Sequence, residues 1–218
     1  MKKKIIAVVV AALALAAIAF SFVGCGETGG DDIEIPEGMQ QYVFEAEYTP
    51  VANLVGGAQS GSASGYDLIM QSSAEGVCNG YFVRNIHKTD CTLTFEFTAE
   101  RAGTGAIYLR LLSQWGDTIF TPDNFGVVLN GGEIRYSSMQ VKGSSDDAPE
   151  FVDKLVTQTA QIRQGDNKLE LIVRENTLND YTHSTGGPAV GCVKIVTDAG
   201  LDWEPLTENL DHVGQVQG

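Results

Sequence analysis

The feature that most constrains this chain is a two-residue alternation that recurs from Tyr42 onward. Val43, Glu45 and Glu47 alternate with Tyr42, Phe44, Ala46 and Tyr48. Leu93, Phe95 and Phe97 alternate with Thr92, Thr94, Glu96 and Thr98, and Ile107, Leu109 and Leu111 alternate with Tyr108 and Arg110. Leu169, Leu171 and Val173 alternate with Lys168, Glu170, Ile172 and Arg174. Period two places successive side chains on opposite faces, so each run is a strand with one face on a core. Turn signals separate the runs. Asn130-Gly131-Gly132 after Gly126–Leu129 fits a tight hairpin, and Gly165-Asp166-Asn167 precedes the Lys168–Arg174 strand. Helical spacing is expected only for one turn within Glu150–Gln158, through Phe151, Leu155 and Val156. Many short strands without a βαβ rhythm imply an all-β, antiparallel β-sandwich.

The first residues carry an address instead of a fold. Lys2, Lys3 and Lys4 precede an unbroken apolar run from Ile5 to Phe20, and Ser21-Phe22-Val23-Gly24-Cys25 closes it. The run is short for a membrane span and has the flanks of an export signal. Its end resembles a bacterial lipobox, with Phe22 where Leu is usual, which implies lipidation at Cys25 after removal of residues 1–24. Residues 25–40 then form the lipidated Cys and a flexible acidic linker, residues 41–198 the sandwich, and residues 199–218 a C-terminal tail. Trp203, Pro205 and Leu206 are expected to pack back on the domain, and the end from Asp211 to fray. The expected location is the extracytoplasmic face of a cell membrane, held through the lipid.

Charge excludes one class of partner. Lys and Arg number 14 against 28 Asp and Glu, a net charge of −14. Such a chain is repelled by nucleic acid and by anionic headgroups. Charged residues make up 19% and hydrophobic residues 43%, a composition that folds. Three Cys follow Cys25, and an exported compartment permits disulfides. Cys78 and Cys91 flank one segment and are the best-placed pair, and such a bond would stabilise by roughly 3 kcal/mol. The alternative is that all three are small buried apolar residues.

Enzyme signatures are absent: no Gly-x-Ser-x-Gly, no His-Glu-x-x-His and no P-loop. The three His residues, His87, His183 and His212, stand far apart. The chain is therefore expected to be non-catalytic.

Six segments together resemble the carbohydrate-binding modules of families 6 and 35. They are Phe44-Glu45-Ala46-Glu47, Asn79-Gly80-Tyr81-Phe82-Val83, and Thr92–Phe97 followed by Ala102-Gly103 and Ile107–Arg110. Val128-Leu129-Asn130-Gly131, Ile162–Leu169 and Gly187–Ile195 complete the set, in the family's order. The resemblance spans about residues 41–198 and implies a galactose-binding-like jelly roll that binds a polysaccharide or oligosaccharide without catalysis. It also implies a structural calcium. On a strand, Glu45 and Glu47 would leave the same face and could begin the oxygen shell that calcium takes. Gly191 stands where the family carries an Asp of that shell.

Sugar recognition needs flat apolar faces with polar groups at the rim. Trp115, at the end of a strand, and Phe151, near the position of a family Trp, are the candidate platforms. Asn179 and Tyr181, in the loop of Asn176, Asp180 and His183, are the candidate partners for hydroxyls, and Tyr66 is a further aromatic candidate. The expected function is a glycan-binding module displayed on the cell surface. The alternative is a structural or protein-interaction sandwich that has lost sugar binding.

Overall fold

The computed structural model describes residues 33–54, 65–74, 76–114, 116–144, 148–175 and 187–213. Among them the strands are β1 (Gln40–Glu45), β2 (Ile69–Gln71), β3 (Tyr81–Val83), β4 (Thr92–Ala99), β5 (Gly103–Leu112), β6 (Thr118–Phe120) and β7 (Phe125–Leu129). They continue with β8 (Gly132–Glu133), β9 (Met139–Val141), β10 (Val152–Ile162), β11 (Gly165–Val173), β12 (Ala189–Thr197) and β13 (Leu201–Asp202). One sheet runs β10-β5-β12-β3-β2, with β1 also on β12; the other runs β13-β4-β11-β7-β8; β6 and β9 form a separate short pair. Every named strand pairing is antiparallel. The fold is an antiparallel β-sandwich of the jelly-roll kind.

The alternation read in the sequence is what fills the core. Leu93, Phe95 and Phe97 of β4, Ile107, Leu109 and Leu111 of β5, and Leu169, Leu171 and Val173 of β11 are all buried in one continuous cluster with Phe44 and Phe125. Each such side chain, fully buried, stabilises by about 1.5–3 kcal/mol. The intervening Thr94, Glu96 and Thr98 remain outside that cluster, and Glu96 and Thr98 are exposed.

A hairpin and a turn between the two sheets are locked together at one end by side chains. Asn130 and Gly131, at φ 54° and 78°, make the left-handed pair that a two-residue hairpin turn requires. Asn130 Nδ2 donates to Asn167 Oδ1 (2.8 Å), while Asn130 Oδ1 accepts from the Lys168 amide (2.9 Å). Asn167 Nδ2 in turn donates to the carbonyls of Arg163 and Gly165, each at 2.8 Å. The β7–β8 and β10–β11 turns are thereby tied through two amides whose polar atoms are satisfied by fixed partners.

Four expectations need correction. The helical turn within Glu150–Gln158 is β10, whose register against β5 shifts twice, between Leu155 and Thr157 and between Thr157 and Ala160. Bulges break period two, so the strand loses its sequence signature. Glu47 is not on a strand: β1 ends at Glu45 and Ala46–Tyr48 form a 3₁₀ turn. The Thr49 hydroxyl closes that turn by donating to the Ala46 carbonyl (2.7 Å), and Asn209 Nδ2 donates to the carbonyls of Glu47 and Thr49 (2.8 and 2.7 Å). The residues after 198 are part of the domain up to Val213. β13 extends the second sheet and His212 stacks on Tyr66 at 4.4 Å, while Trp203 packs back as expected, edge-on against Phe44 with centroids 5.3 Å apart.

The fourth correction concerns the thiols. Cys91 lies in the core between the sheets, whereas Cys78 lies against Cys192, Sγ to Sγ 2.8 Å. Cys192 is opposite Arg110 on β5, and both side chains face away from that core. A sheet separates Cys78 from Cys91, so the expected pairing does not form. All three are buried thiols in this structure.

Candidate functional site

A loop-end site is built by three adjacent strands of the first sheet. Leu112, the last residue of β5, is opposite Ala189, the first of β12, and Val152, the first of β10, is opposite Leu111. The segments 113–117, 142–151 and 174–188 therefore leave the sheet at one end. These carry the ligand residues expected from the sequence except Tyr66, whose ring stacks on His212. Trp115, Asn179 and Tyr181 themselves, with Asn176, Asp180 and His183, lie outside the described residues.

What is described around Trp115 is a closely bonded frame. Ser113 Oγ donates to the Gly116 carbonyl (2.6 Å) and also meets Thr118 Oγ1 (2.8 Å). The Ser144 amide donates to the Ser113 carbonyl (2.9 Å), and the Gly143 amide to Asp117 Oδ1 (2.9 Å). Gly143 passes so close to Gly116 that a Cβ on it would lie 2.3 Å from the Gly116 Cα, so only glycine fits. Gln114 pairs reciprocally with Asn85: its Oε1 accepts from the Asn85 amide (3.0 Å) and its Nε2 donates to Asn85 Oδ1 (3.3 Å). The described residues on both sides of position 115 are thus held by hydrogen bonds.

Asn85 and Gln114 are polar groups at this end that sequence reasoning did not single out. Asn85 adopts φ 59°, a conformation that Asn tolerates better than most residues. Nothing local in Arg84-Asn85-Ile86 announces it, because the Gln114 partner is 29 residues away.

Phe151 is not a platform. It is 4% exposed and lies in a second, smaller cluster with Val77, Phe82, Leu112 and Ala189 on the outer side of the first sheet. Its ring meets Phe82 edge-on, centroids 5.2 Å apart, and a Cβ at Gly191 would come within 3.3 Å of it. The expected ligand contact at Phe151 is replaced by packing.

Beside this cluster is a buried charge triad. Asp153 Oδ2 accepts from Arg110 Nη1 (2.8 Å) and from Lys194 Nζ (3.0 Å), and Arg110 Nε donates to the Gly76 carbonyl (2.7 Å). The segment before β3 is thereby bonded over the outer face of the sheet.

The carboxylates expected to hold calcium flank the Tyr48 phenol. Glu47 is wholly buried and Glu45 half-buried. Burial raises the Glu45 carboxyl above its ordinary value, against a hydrogen bond within its own residue. The Tyr48 phenol is raised by burial first and then by Glu47, with Glu45 adding to it, while Asn79, donating to its oxygen at 2.5 Å, opposes the shift. Among the described residues no group of three or more His, Cys, Asp or Glu gathers as a metal site. A calcium ion held by Glu45 and Glu47 would need main-chain carbonyls and water for the rest of its shell.

No protein-family model matches the chain, and none of the curated proteins does. Among solved structures it is similar to a family 35 carbohydrate-binding module from an environmental isolate, at 14% identity over 75% of this chain and 98% of that one, TM-score 0.47. A family 35 module from Clostridium thermocellum is 15% identical over 72% of this chain and 97% of that one, TM-score 0.47. The GH26-CBM35 β-(1,4)-mannanase of Podospora anserina is 13% identical over 72% of this chain, TM-score 0.47, and this chain spans only 27% of that enzyme's length. Residues 1–32, with Cys25 and the export segment, lie outside the described residues; among the described residues no helix is long and apolar enough to cross a membrane.

Proposed function

We propose that this chain is a non-catalytic glycan-binding module, exported and anchored to a membrane through lipid on Cys25. The observation that carries the binding half is that β5, β10 and β12, whose ends adjoin segments 113–117, 142–151 and 174–188, have those ends side by side in the first sheet, where the family-resembling motifs would put a sugar. Trp115 supplies the stacking face, Asn179 and Tyr181 the hydroxyl contacts, and the paired Asn85 and Gln114 are further polar groups at the same end of the sheet. A single aromatic contact adds only about 0.5–1.5 kcal/mol beyond the area it buries, so affinity per module is weak. Display of many copies on one membrane offsets that weakness through avidity. The acidic balance favours neutral or basic glycans. The anchor half rests on the Lys2–Lys4 cluster, the apolar run and Gly24-Cys25.

One comparison tests both halves. Trp115→Ala is expected to abolish retention on a glycan array while keeping the membrane fraction and the melt of the parent chain. Cys25→Ser is expected to keep array binding and lose membrane retention. Array binding unchanged by Trp115→Ala sinks the site. Absence of any glycan ligand for the parent chain favours the alternative, a sandwich that serves as an interaction module. Membrane retention unchanged by Cys25→Ser sinks the anchor.

Calcium at Glu45 and Glu47 is part of the same proposal. A raised carboxyl favours the protonated fold: the stabilisation is full below the ordinary carboxylate value and is lost as pH rises through the raised one. At neutral pH in chelator, Glu45→Gln should therefore melt higher than the parent chain. Added calcium should reverse the order, since a ligand at a hundred-fold excess over its dissociation constant stabilises by about 2.7 kcal/mol. Melts of the parent chain that coincide in calcium and in chelator would show that the two carboxylates hold no ion.

A further inference from the structure

Cys78 and Cys192 are 114 positions apart in the sequence and their sulfurs are 2.8 Å apart in the structure. Disulfide sulfurs are ~2.05 Å apart, so closing the pair needs less than about 1 Å of movement. Both residues are completely buried. Cys78 opens the short turn Cys78–Gly80, in which Asn79 and Gly80 take φ 48° and 80°. That turn folds the segment 72–80 down on the outer face of β12, held by the Arg110 bond to Gly76 and by the Ser72 amide on the Gly80 carbonyl (2.9 Å). The same turn brings Asn79 to the Tyr48 phenol. A bond at Cys78 would thus fasten the cover of the second core and the edge of the Glu45–Glu47 neighbourhood together.

We propose that Cys78 and Cys192 form the structural disulfide of the mature protein, clasping the segment 72–80 to β12, and that Cys91 stays a thiol. The oxidising compartment rests on the export proposed above; the choice of partners rests on the geometry alone. The oxidant is a disulfide, either of a dithiol oxidase or of glutathione. One cysteine, as thiolate, attacks a sulfur of that disulfide and releases one oxidant thiol. The second thiolate attacks the cysteine sulfur of the mixed disulfide and releases the other. Two electrons pass to the oxidant, which ends as two thiols, and one S–S bond joins Cys78 to Cys192. Because both sulfurs are covered in the folded chain, the exchange happens before the segment 72–80 closes. Cys91 is held apart by the sheet, and burial pushes its thiol up to about 11, which leaves little thiolate to compete.

The test uses the full chain, once isolated from the cell and once unfolded, reduced and refolded in a glutathione redox buffer. Each sample is denatured in an alkylating reagent and digested without reduction. The expected product is a peptide joining Cys78 to Cys192, with the label on Cys91. Reductant should lower the melting temperature of the parent chain by about 10 °C and leave a Cys78→Ala/Cys192→Ala variant unmoved. A bond present only after refolding supports the pairing and removes the export on which the compartment rests. Label on both Cys78 and Cys192 after refolding, or a peptide joining either to Cys91, overturns the proposal whatever the location of the protein.

Discussion

Asp153→Ala is expected to destabilise the chain by about 3–5 kcal/mol, because it leaves two buried cations without their counter-ion. Arg110, Asp153 and Lys194 have side chains only 6%, 8% and 11% exposed, and both cations share the one Asp153 oxygen. The other oxygen, Oδ1, is buried without a hydrogen-bond partner among the described residues. The triad is therefore poorly compensated even in the parent chain, and a triple replacement of all three by apolar residues of similar size should come out near neutral. The measurement is chemical denaturation of the single and triple variants. Hydrogen exchange of residues 72–80 should speed up in Asp153→Ala, since Arg110 also bonds the Gly76 carbonyl. A single variant within about 1 kcal/mol of the parent would mean that the charges are solvated.

Phe151→Ala should lose a similar amount, about 3–5 kcal/mol, by leaving a cavity against Phe82, Leu112 and Ala189. Phe151→Leu should recover most of that loss. The two variants separate packing from recognition: glycan binding, assayed well below each melting point, should survive both. A Phe151→Ala chain that melts like the parent and fails to bind would return the ring to the ligand and contradict its burial.

These two sites mark where the sequence is legible and where it is not. β4 could be read because its partners β11 and β13 keep register and one of its faces meets water, so Leu93, Phe95 and Phe97 alternate cleanly with polar residues. The Asn130-Gly131 turn could be read because its conformation demands those residue types locally. β12 shows no alternation: eight of its nine residues are buried, with only Lys194 partly open, since the first sheet is covered on its outer side as well. That cover consists of Phe151, Val77 and Cys78, which come from distant parts of the chain, and no local window relates Cys78 to Cys192. Glu47 was misplaced for a similar reason. Its turn is capped by Asn209, 162 residues further along. At the loop end, the strands whose ends the candidate segments adjoin follow from the order of the motifs, whereas the Asn85–Gln114 pair depends on a crossing of two segments that only the fold supplies.

The pairing of β1 also sets a direction. Gln40 lies opposite Thr197, and Thr197 opposite Gly105, whereas Leu112 and Ala189 meet at the other end of the same strands. β12 has nine residues, so at ~3.3 Å per residue the two ends are about 25–30 Å apart. Residues preceding Gln40 enter the sandwich at the pole remote from Leu112 and Ala189. In a chain held through that entry, whether on a bilayer or on a sensor chip, the strand ends at Leu112 and Ala189 lie at the pole opposite the point of attachment.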